Sequence, residues 1–152
     1  MGAATSNIIL LPMLVLAGWT MIVWVWMYAT RLPAMGRAGI DGTKMVGSTG
    51  KSLRDQLVAA GEERASWVAD NYNHLMEQPT IFYAVTLALA VMGEGGGLAV
   101  GLAWGYAGLR IAHSLVQILS NRVVVRFALF ALASLCLLGL VLLALSIASA
   151  QG

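Results

Sequence analysis

The sequence predicts an all-α fold, an integral membrane bundle of four helices. Charged residues make up 11% of the 152 residues, whereas a soluble domain carries about 25%. The hydrophobic fraction is 59% and the mean hydropathy is +0.80, so most of the chain does not suit a water-soluble core. A chain of this length usually forms one domain, and we expect residues 1–152 to form a single transmembrane domain.

The first predicted helix covers residues 8–31. Its segment from Ile8 to Tyr28 is uncharged over about 20 residues, which is enough to cross a hydrocarbon core about 30 Å thick. A signal peptide has a basic start and a shorter apolar run. Because no Lys or Arg precedes Ile8, we expect this helix to be retained.

Residues 32–64 hold several glycines and most of the charged residues, and we predict a flexible amphipathic connector there. Within it, the run Gly47-Ser48-Thr49-Gly50-Lys51-Ser52 resembles the end of a phosphate-binding P-loop. That motif needs a glycine five positions before Gly50, where Met45 stands, and an apolar strand before it. The sequence therefore does not favour a nucleotide site.

The other three helices are predicted at residues 65–92, 98–119 and 123–147. Pro79 lies inside the second helix, which a membrane helix tolerates where its neighbours satisfy the freed carbonyl. Small residues at four-residue spacing in the third helix predict close contact with another helix. These residues are Gly97, Gly101 and Gly105.

The basic residues indicate how the helices are oriented. They are concentrated in the connector and at the junction between the third and fourth helices, whereas the two termini carry none. The positive-inside rule therefore predicts a cytoplasmic connector and termini outside the cytoplasm. Because the basic residues follow topology rather than forming an exposed cluster, no nucleic-acid partner is expected. Cys136 stands alone in an apolar run, which predicts a buried small side chain and no metal site.

Two polar stripes interrupt the apolar helices. An ionisable side chain inside a membrane costs about 2.5 to 3.5 kcal/mol, so each stripe must face protein or water. The spacing of each set places its members on one helix face. The second helix carries Asp70, Asn73, His74 and Glu77, and the third carries Tyr106, Arg110, His113 and Gln117.

The two stripes lie at matching depths in adjacent antiparallel helices. At 1.5 Å per residue, Glu77 lies roughly 17 Å and Arg110 roughly 15 Å from the cytoplasmic edge. We predict that they pair, since each would otherwise be an uncompensated buried charge. The same count places the other side chains opposite one another: His74 and Asn73 opposite His113, and Asp70 and Asn71 opposite Gln117.

Two interpretations of these stripes stay open, an internal polar clasp and a pocket that opens to the cytoplasm with Arg122 and Arg126 at its mouth. One salt bridge would satisfy Glu77 and Arg110, yet further amides and histidines line the same side, which favours the pocket. A basic rim with amides inside suits a small anionic ligand that has peptide-like groups.

These features resemble the MAPEG family, the membrane-associated proteins of eicosanoid and glutathione metabolism. The third helix reads Arg110-x-x-His113-x-x-x-Gln117 and is followed by Arg126. The second helix has Asn, then Glu, then Pro, in the version Asn73-His74-x-x-Glu77-Gln78-Pro79 that resembles the bacterial branch. The resemblance covers nearly the whole chain and implies a bacterial inner membrane.

The resemblance implies a homotrimer that binds glutathione between adjacent subunits, near the cytoplasmic side. By position, Arg126 matches the arginine that stabilises the glutathione thiolate, which makes it the predicted catalytic residue. The remaining predicted glutathione-binding residues are Arg31, Asn73, His74, Glu77, Arg110, His113, Gln117 and Arg122.

The implied activity is a glutathione-dependent transferase or peroxidase whose hydrophobic electrophile reaches it from the membrane lipids. The alternative is a non-catalytic member, either a lipid-ligand binder or a structural subunit of a membrane complex. Two departures from the family pattern bear on this choice. Gln117 stands where many glutathione-using members have a tyrosine, and its amide has no phenolic proton. The arginine that precedes the Asn of the second helix in those enzymes is absent, and Trp67 and Asp70 occupy that neighbourhood.

Overall fold

A computed structural model describes residues 8–47 and 49–151. Ser48 of the P-loop-like run and the predicted positions of the two termini lie outside the described residues. The described residues form six α-helices, one short 3₁₀ helix at Gly42–Lys44 and no β-strand, which confirms the all-α prediction. The helices are α1 (Leu10–Arg37), α2 (Gly50–Ala59), α3 (Glu63–Leu75), α4 (Pro79–Val91), α5 (Gly97–Leu119) and α6 (Val123–Gln151).

Helix α1 continues to Arg37, beyond the predicted end at residue 31. It buries Leu16, Val23 and Met27 at helical spacing, and it packs against α3, α4 and α5. Much of its remaining surface is exposed and apolar, as a face that contacts lipid requires.

The connector contains a packed helix, so its prediction as a wholly flexible segment is wrong. Helix α2 starts at a capping box, in which the Thr49 side chain accepts from the Ser52 backbone N–H and the Ser52 side chain accepts from the Thr49 backbone N–H. Leu57 is fully buried in a small cluster with Ala34 of α1 and Ala65 of α3. The glycine-containing run around Thr49 is thus the start of a helix.

An ion pair joins the two ends of the connector. Arg37 donates to both carboxylate oxygens of Glu62, at 2.6 and 2.7 Å. These hydrogen bonds hold the pKa of the Glu62 carboxyl below its ordinary range. The pair brings the end of α1 beside the start of α3.

The predicted second helix is two helices, α3 and α4. Pro79 has no N–H to bond the Leu75 carbonyl, so α3 ends at Leu75 and Pro79 becomes the first residue of α4. Gln78, within the break, donates a 2.9 Å hydrogen bond to Ser134 of α6. Each helix has 13 residues, about 20 Å, so neither alone spans a hydrocarbon core of about 30 Å.

Helices α5 and α6 form the most extensive helix pair. A Cβ atom added to Gly105 would lie 3.1 Å from the Cys136 sulfur, and one added to Gly139 would lie 3.1 Å from Leu102. Gly105 of the predicted ridge therefore permits close approach, whereas Gly101 has no described side-chain neighbour within 4 Å. Cys136 is half-buried against the core rather than fully buried.

Two helices among the described residues are long and apolar enough to cross a membrane, α1 and α6. Helix α5 has 23 residues, but it carries Arg110, His113 and Gln117 and is not one of these two helices. By length and composition alone, two of the four predicted spans are therefore found to be capable of crossing a membrane.

Candidate functional site

Arg110 lies at the centre of the bundle and is 1% exposed. It donates a 2.7 Å hydrogen bond to the backbone carbonyl of His74, and its guanidinium carbon lies 5.6 Å from the ring centroid of Phe130. The His74 carbonyl is available because α3 ends one residue later. A cation at a helix C-terminus is favoured by the helix dipole.

Glu77 does not form the predicted salt bridge with Arg110. Its side chain is 65% exposed, and its carboxylate lies 3.2 Å from Nδ1 of His74. The break before Pro79 explains the difference, because Glu77 no longer continues the helical stripe of α3. The charge of Arg110 is met by a backbone carbonyl and an aromatic ring instead.

A polar cavity of about 390 Å³ opens beside this break. Five of the predicted site residues line it, and its walls come from α2, α3, the α3–α4 break, α5 and the start of α6. Arg54 was not among the predicted site residues. The cavity is lined by Arg54, Trp67, Asp70, Asn73, His74, Glu77, Gln117, Asn121 and Arg126.

An apolar cavity of about 260 Å³ adjoins the polar one. The two cavities share His74 and Arg126. Two phenylalanines and a valine of α6 form most of its surface, together with His113 of α5. It is lined by His74, His113, Val123, Arg126, Phe127 and Phe130.

Arg126 is held at the boundary between the two cavities by Asn121. Its Nη1 donates to the side-chain oxygen of Asn121. Asn121 has φ +51°, a left-handed conformation that Asn adopts more readily than most residues, and its N–H bonds the Val116 carbonyl at 2.7 Å. The short break between α5 and α6 thus directs both side chains towards the site.

The two histidines meet as predicted, with ring centroids 6.1 Å apart in an edge-to-face arrangement. Asn71 forms no hydrogen bond with Gln117 and instead donates to the hydroxyl of Ser114. Trp19 of α1 donates to the same hydroxyl at 2.9 Å. This network ties α1, α3 and α5 together.

A third, basic cavity of about 310 Å³ is lined by residues of α1, α2 and α3. It shares Arg54, Asp70 and Asn73 with the polar cavity. Arg31, predicted as a glutathione-binding residue, lies here, while Arg122 is exposed and lines none of the three cavities. The basic cavity is lined by Met27, Arg31, Gly50, Lys51, Arg54, Ala69, Asp70 and Asn73.

Several buried side-chain polar atoms lack a hydrogen-bond partner within the described residues. Folded proteins pair the large majority of such atoms. The chain itself encloses these atoms, so the polar network inside the bundle is incomplete. They include Nε of Arg31, the side-chain oxygen of Asn71, Nε and Nη1 of Arg110, Nδ1 of His113, the side-chain oxygen of Gln117 and Nε of Arg126.

The model of the MAPEG family matches residues 9–146, nearly the whole chain. The chain belongs to the MAPEG family. It is thus a membrane protein of the family of glutathione and eicosanoid metabolism, which agrees with its long apolar helices. No curated protein and no solved structure matches the chain.

Proposed function

We propose that this MAPEG protein is a membrane-bound glutathione-dependent transferase or peroxidase that acts on hydrophobic electrophiles. The observation that carries the proposal is the position of Arg126, which lines both the polar and the apolar cavity. A hydrophilic thiol in one cavity and an apolar electrophile in the other would meet beside its guanidinium.

The chemistry requires a thiolate and a nearby cation. A guanidinium beside the sulfur lowers the pKa of the thiol, and the thiolate is the nucleophile. With an aryl halide, the sulfur forms the new carbon–sulfur bond, the halide leaves with the bonding electron pair, and the thiol proton passes to solvent. Arg126 is the proposed catalytic residue because it would contact the reacting sulfur.

The polar cavity suits glutathione, a tripeptide with two carboxylates, one ammonium group and two amide bonds. Its volume of about 390 Å³ falls among those of small-molecule sites. The amides of Asn73, Gln117 and Asn121 offer partners for the peptide groups, and the Glu77 carboxylate offers one for the ammonium.

A homotrimer is the proposed assembly, with the polar cavity at the border between subunits. Membership of the MAPEG family supports it, because the resemblance to that family implies a homotrimer. A trimer would also allow Arg31 and Arg122, which do not line the polar cavity of their own chain, to reach that of an adjacent subunit. Membrane lipids would contact the exposed apolar faces of α1 and α6.

A non-catalytic role is the second candidate, either binding of a lipid ligand or a structural role in a membrane complex. Gln117 favours it because an amide cannot supply the proton of a tyrosine hydroxyl. Asp70 favours it as well, since a carboxylate in the polar cavity opposes an anionic ligand.

Calorimetric titration of the detergent-solubilised protein with glutathione tests the proposal, followed by conjugation of an aryl halide. We expect binding at millimolar or lower glutathione and conjugation above the uncatalysed rate. Binding without conjugation would favour the non-catalytic candidate. No binding at millimolar glutathione would contradict both the enzyme and the glutathione site.

A further inference from the structure

The connector helix α2 brings a guanidinium into the polar cavity. Arg54 of α2 lies with its Nε 3.4 Å from the carboxylate of Asp70 on α3. It lines both the polar cavity and the basic cavity. We propose that Arg54 binds a carboxylate of glutathione and thereby sets the affinity of the site for the anionic thiol. This inference rests on the proposed function.

The fold holds the backbone of Arg54 in place and leaves its guanidinium free to bind. The capping box at Thr49 begins α2, and Leu57, one turn beyond Arg54, is fully buried against α1 and α3. The backbone of Arg54 is therefore held against the bundle. Its side chain is 52% exposed, so the guanidinium is open to the cavity.

The contact with Asp70 orients the guanidinium without occupying it. Asp70 approaches Nε, and no hydrogen bond of Nη1 or Nη2 occurs within residues 8–47 and 49–151. Those two nitrogens offer donors in the planar arrangement that suits a carboxylate. Asp70 acts in this account as a positioning residue.

The distribution of cations in the polar cavity identifies Arg54 as the carboxylate partner. Arg54 and Arg126 are the two arginines in its lining, and no lysine lines it. With Arg126 beside the sulfur, Arg54 is the remaining permanent cation that the chain places in the lining of its own polar cavity. Residues 65–75 of α3 carry no Lys or Arg, so the cation on this side of the cavity comes from the connector.

Binding of glutathione to the Arg54→Met variant and to Arg54→Lys tests this role, with Arg64→Met as the matched control. Arg64 is exposed and lines a separate groove beside Trp26 and Glu62. Because hydrogen bonds to charged groups are strong, we expect Arg54→Met to weaken glutathione binding about tenfold or more. Arg54→Lys should lose less, and Arg64→Met should bind as the parent protein does.

Two glutathione analogues separate carboxylate binding from a structural role. One is the ethyl ester of the glycine carboxylate, and the other has 4-aminobutanoate in place of the γ-glutamyl group. One analogue should bind the parent protein and Arg54→Met equally, because the group that Arg54 contacts is missing from it. The other analogue still carries that group, so its affinity should fall from the parent protein to Arg54→Met about as much as that of glutathione does.

Three results would overturn the inference. Unchanged glutathione affinity in Arg54→Met would refute it while leaving the proposed function intact. Equal losses for glutathione and both analogues, together with a lower melting temperature, would show that Arg54 only fastens α2 to α3. Absence of glutathione binding to the parent protein would remove the proposed function and this inference together.

Discussion

The guanidinium of Arg110 donates a 2.7 Å hydrogen bond to the backbone carbonyl of His74. This contact joins the middle of α5 to the C-terminal end of α3. It fixes the position of the α3–α4 break, beside which His74 at the end of α3 and Glu77 within the break reach the polar cavity. The geometry of the cavity thus depends on a buried cation that caps a broken helix.

Replacing Arg110 with Met should destabilise the protein by about 1 to 3 kcal/mol, because the His74 carbonyl loses its partner. Glu77→Gln should cost less than about 1 kcal/mol, since that carboxylate is exposed. Thermal unfolding in detergent measures both. The change in unfolding free energy of the double variant should equal the sum of the two single changes within about 0.5 kcal/mol. A larger coupling energy would support the salt bridge between Glu77 and Arg110 that the sequence predicted.

Ser114→Ala should also destabilise the fold. The Ser114 hydroxyl accepts from both Trp19 and Asn71, so its loss leaves two donors unpaired and should cost about 1 to 3 kcal/mol. Ser146→Ala is the matched control, because that hydroxyl is exposed and bonds the carbonyl of Leu143 in its own helix. Equal melting temperatures for the two variants would show that the network does not hold α1 to α3 and α5.

The proposed homotrimer predicts one dominant species of three chains in native mass spectrometry from a mild detergent. The physical reason is that Arg31 and Arg122, both predicted to bind glutathione, do not line the polar cavity of their own chain, so an adjacent subunit would have to bring them to it. Monomer as the sole species over a range of protein concentrations would contradict this assembly.

The apolar cavity predicts selectivity for hydrophobic electrophiles. Phe127→Ser should lower kcat/KM for a hydrophobic aryl halide several-fold, since it removes apolar surface from the cavity lining. Glutathione affinity should stay unchanged, because Phe127 does not line the polar cavity. A parallel loss for a small polar electrophile would argue that the electrophile binds elsewhere.

Much of the fold follows from helix-forming and helix-ending residues that are visible in the sequence. The third and fourth predicted helices begin within one residue of α5 and α6, because a glycine turn and Asn121 interrupt the apolar pattern there. The family could be predicted as well, because its motif consists of short local runs at the end of α3, in α5 and at the start of α6. The meeting of His74 with His113 followed from helix spacing alone.

The errors have local physical causes. Pro79 was expected to lie inside one continuous helix, but its missing N–H ends α3 and turns Glu77 towards solvent. Arg54 was missed because the residues around it were interpreted as a flexible connector. The pair Thr49 and Ser52 has capping-box spacing and was the available signal for α2. The position of Arg126 at two cavities depends on tertiary packing that no local pattern records.

The thiol pKa of glutathione bound to Arg126→Met tests the central claim most directly. Thiolate absorbance is followed against pH for the parent protein, Arg126→Met and the control Arg64→Met. If Arg126 faces the sulfur, its removal should raise the bound thiol pKa by about 1 to 3 pH units, with thiolate lost near neutral pH and regained at higher pH. Glutathione affinity should change little, and the conjugation rate at neutral pH should fall with the thiolate. An unchanged thiol titration in Arg126→Met, at full glutathione occupancy, would contradict the account.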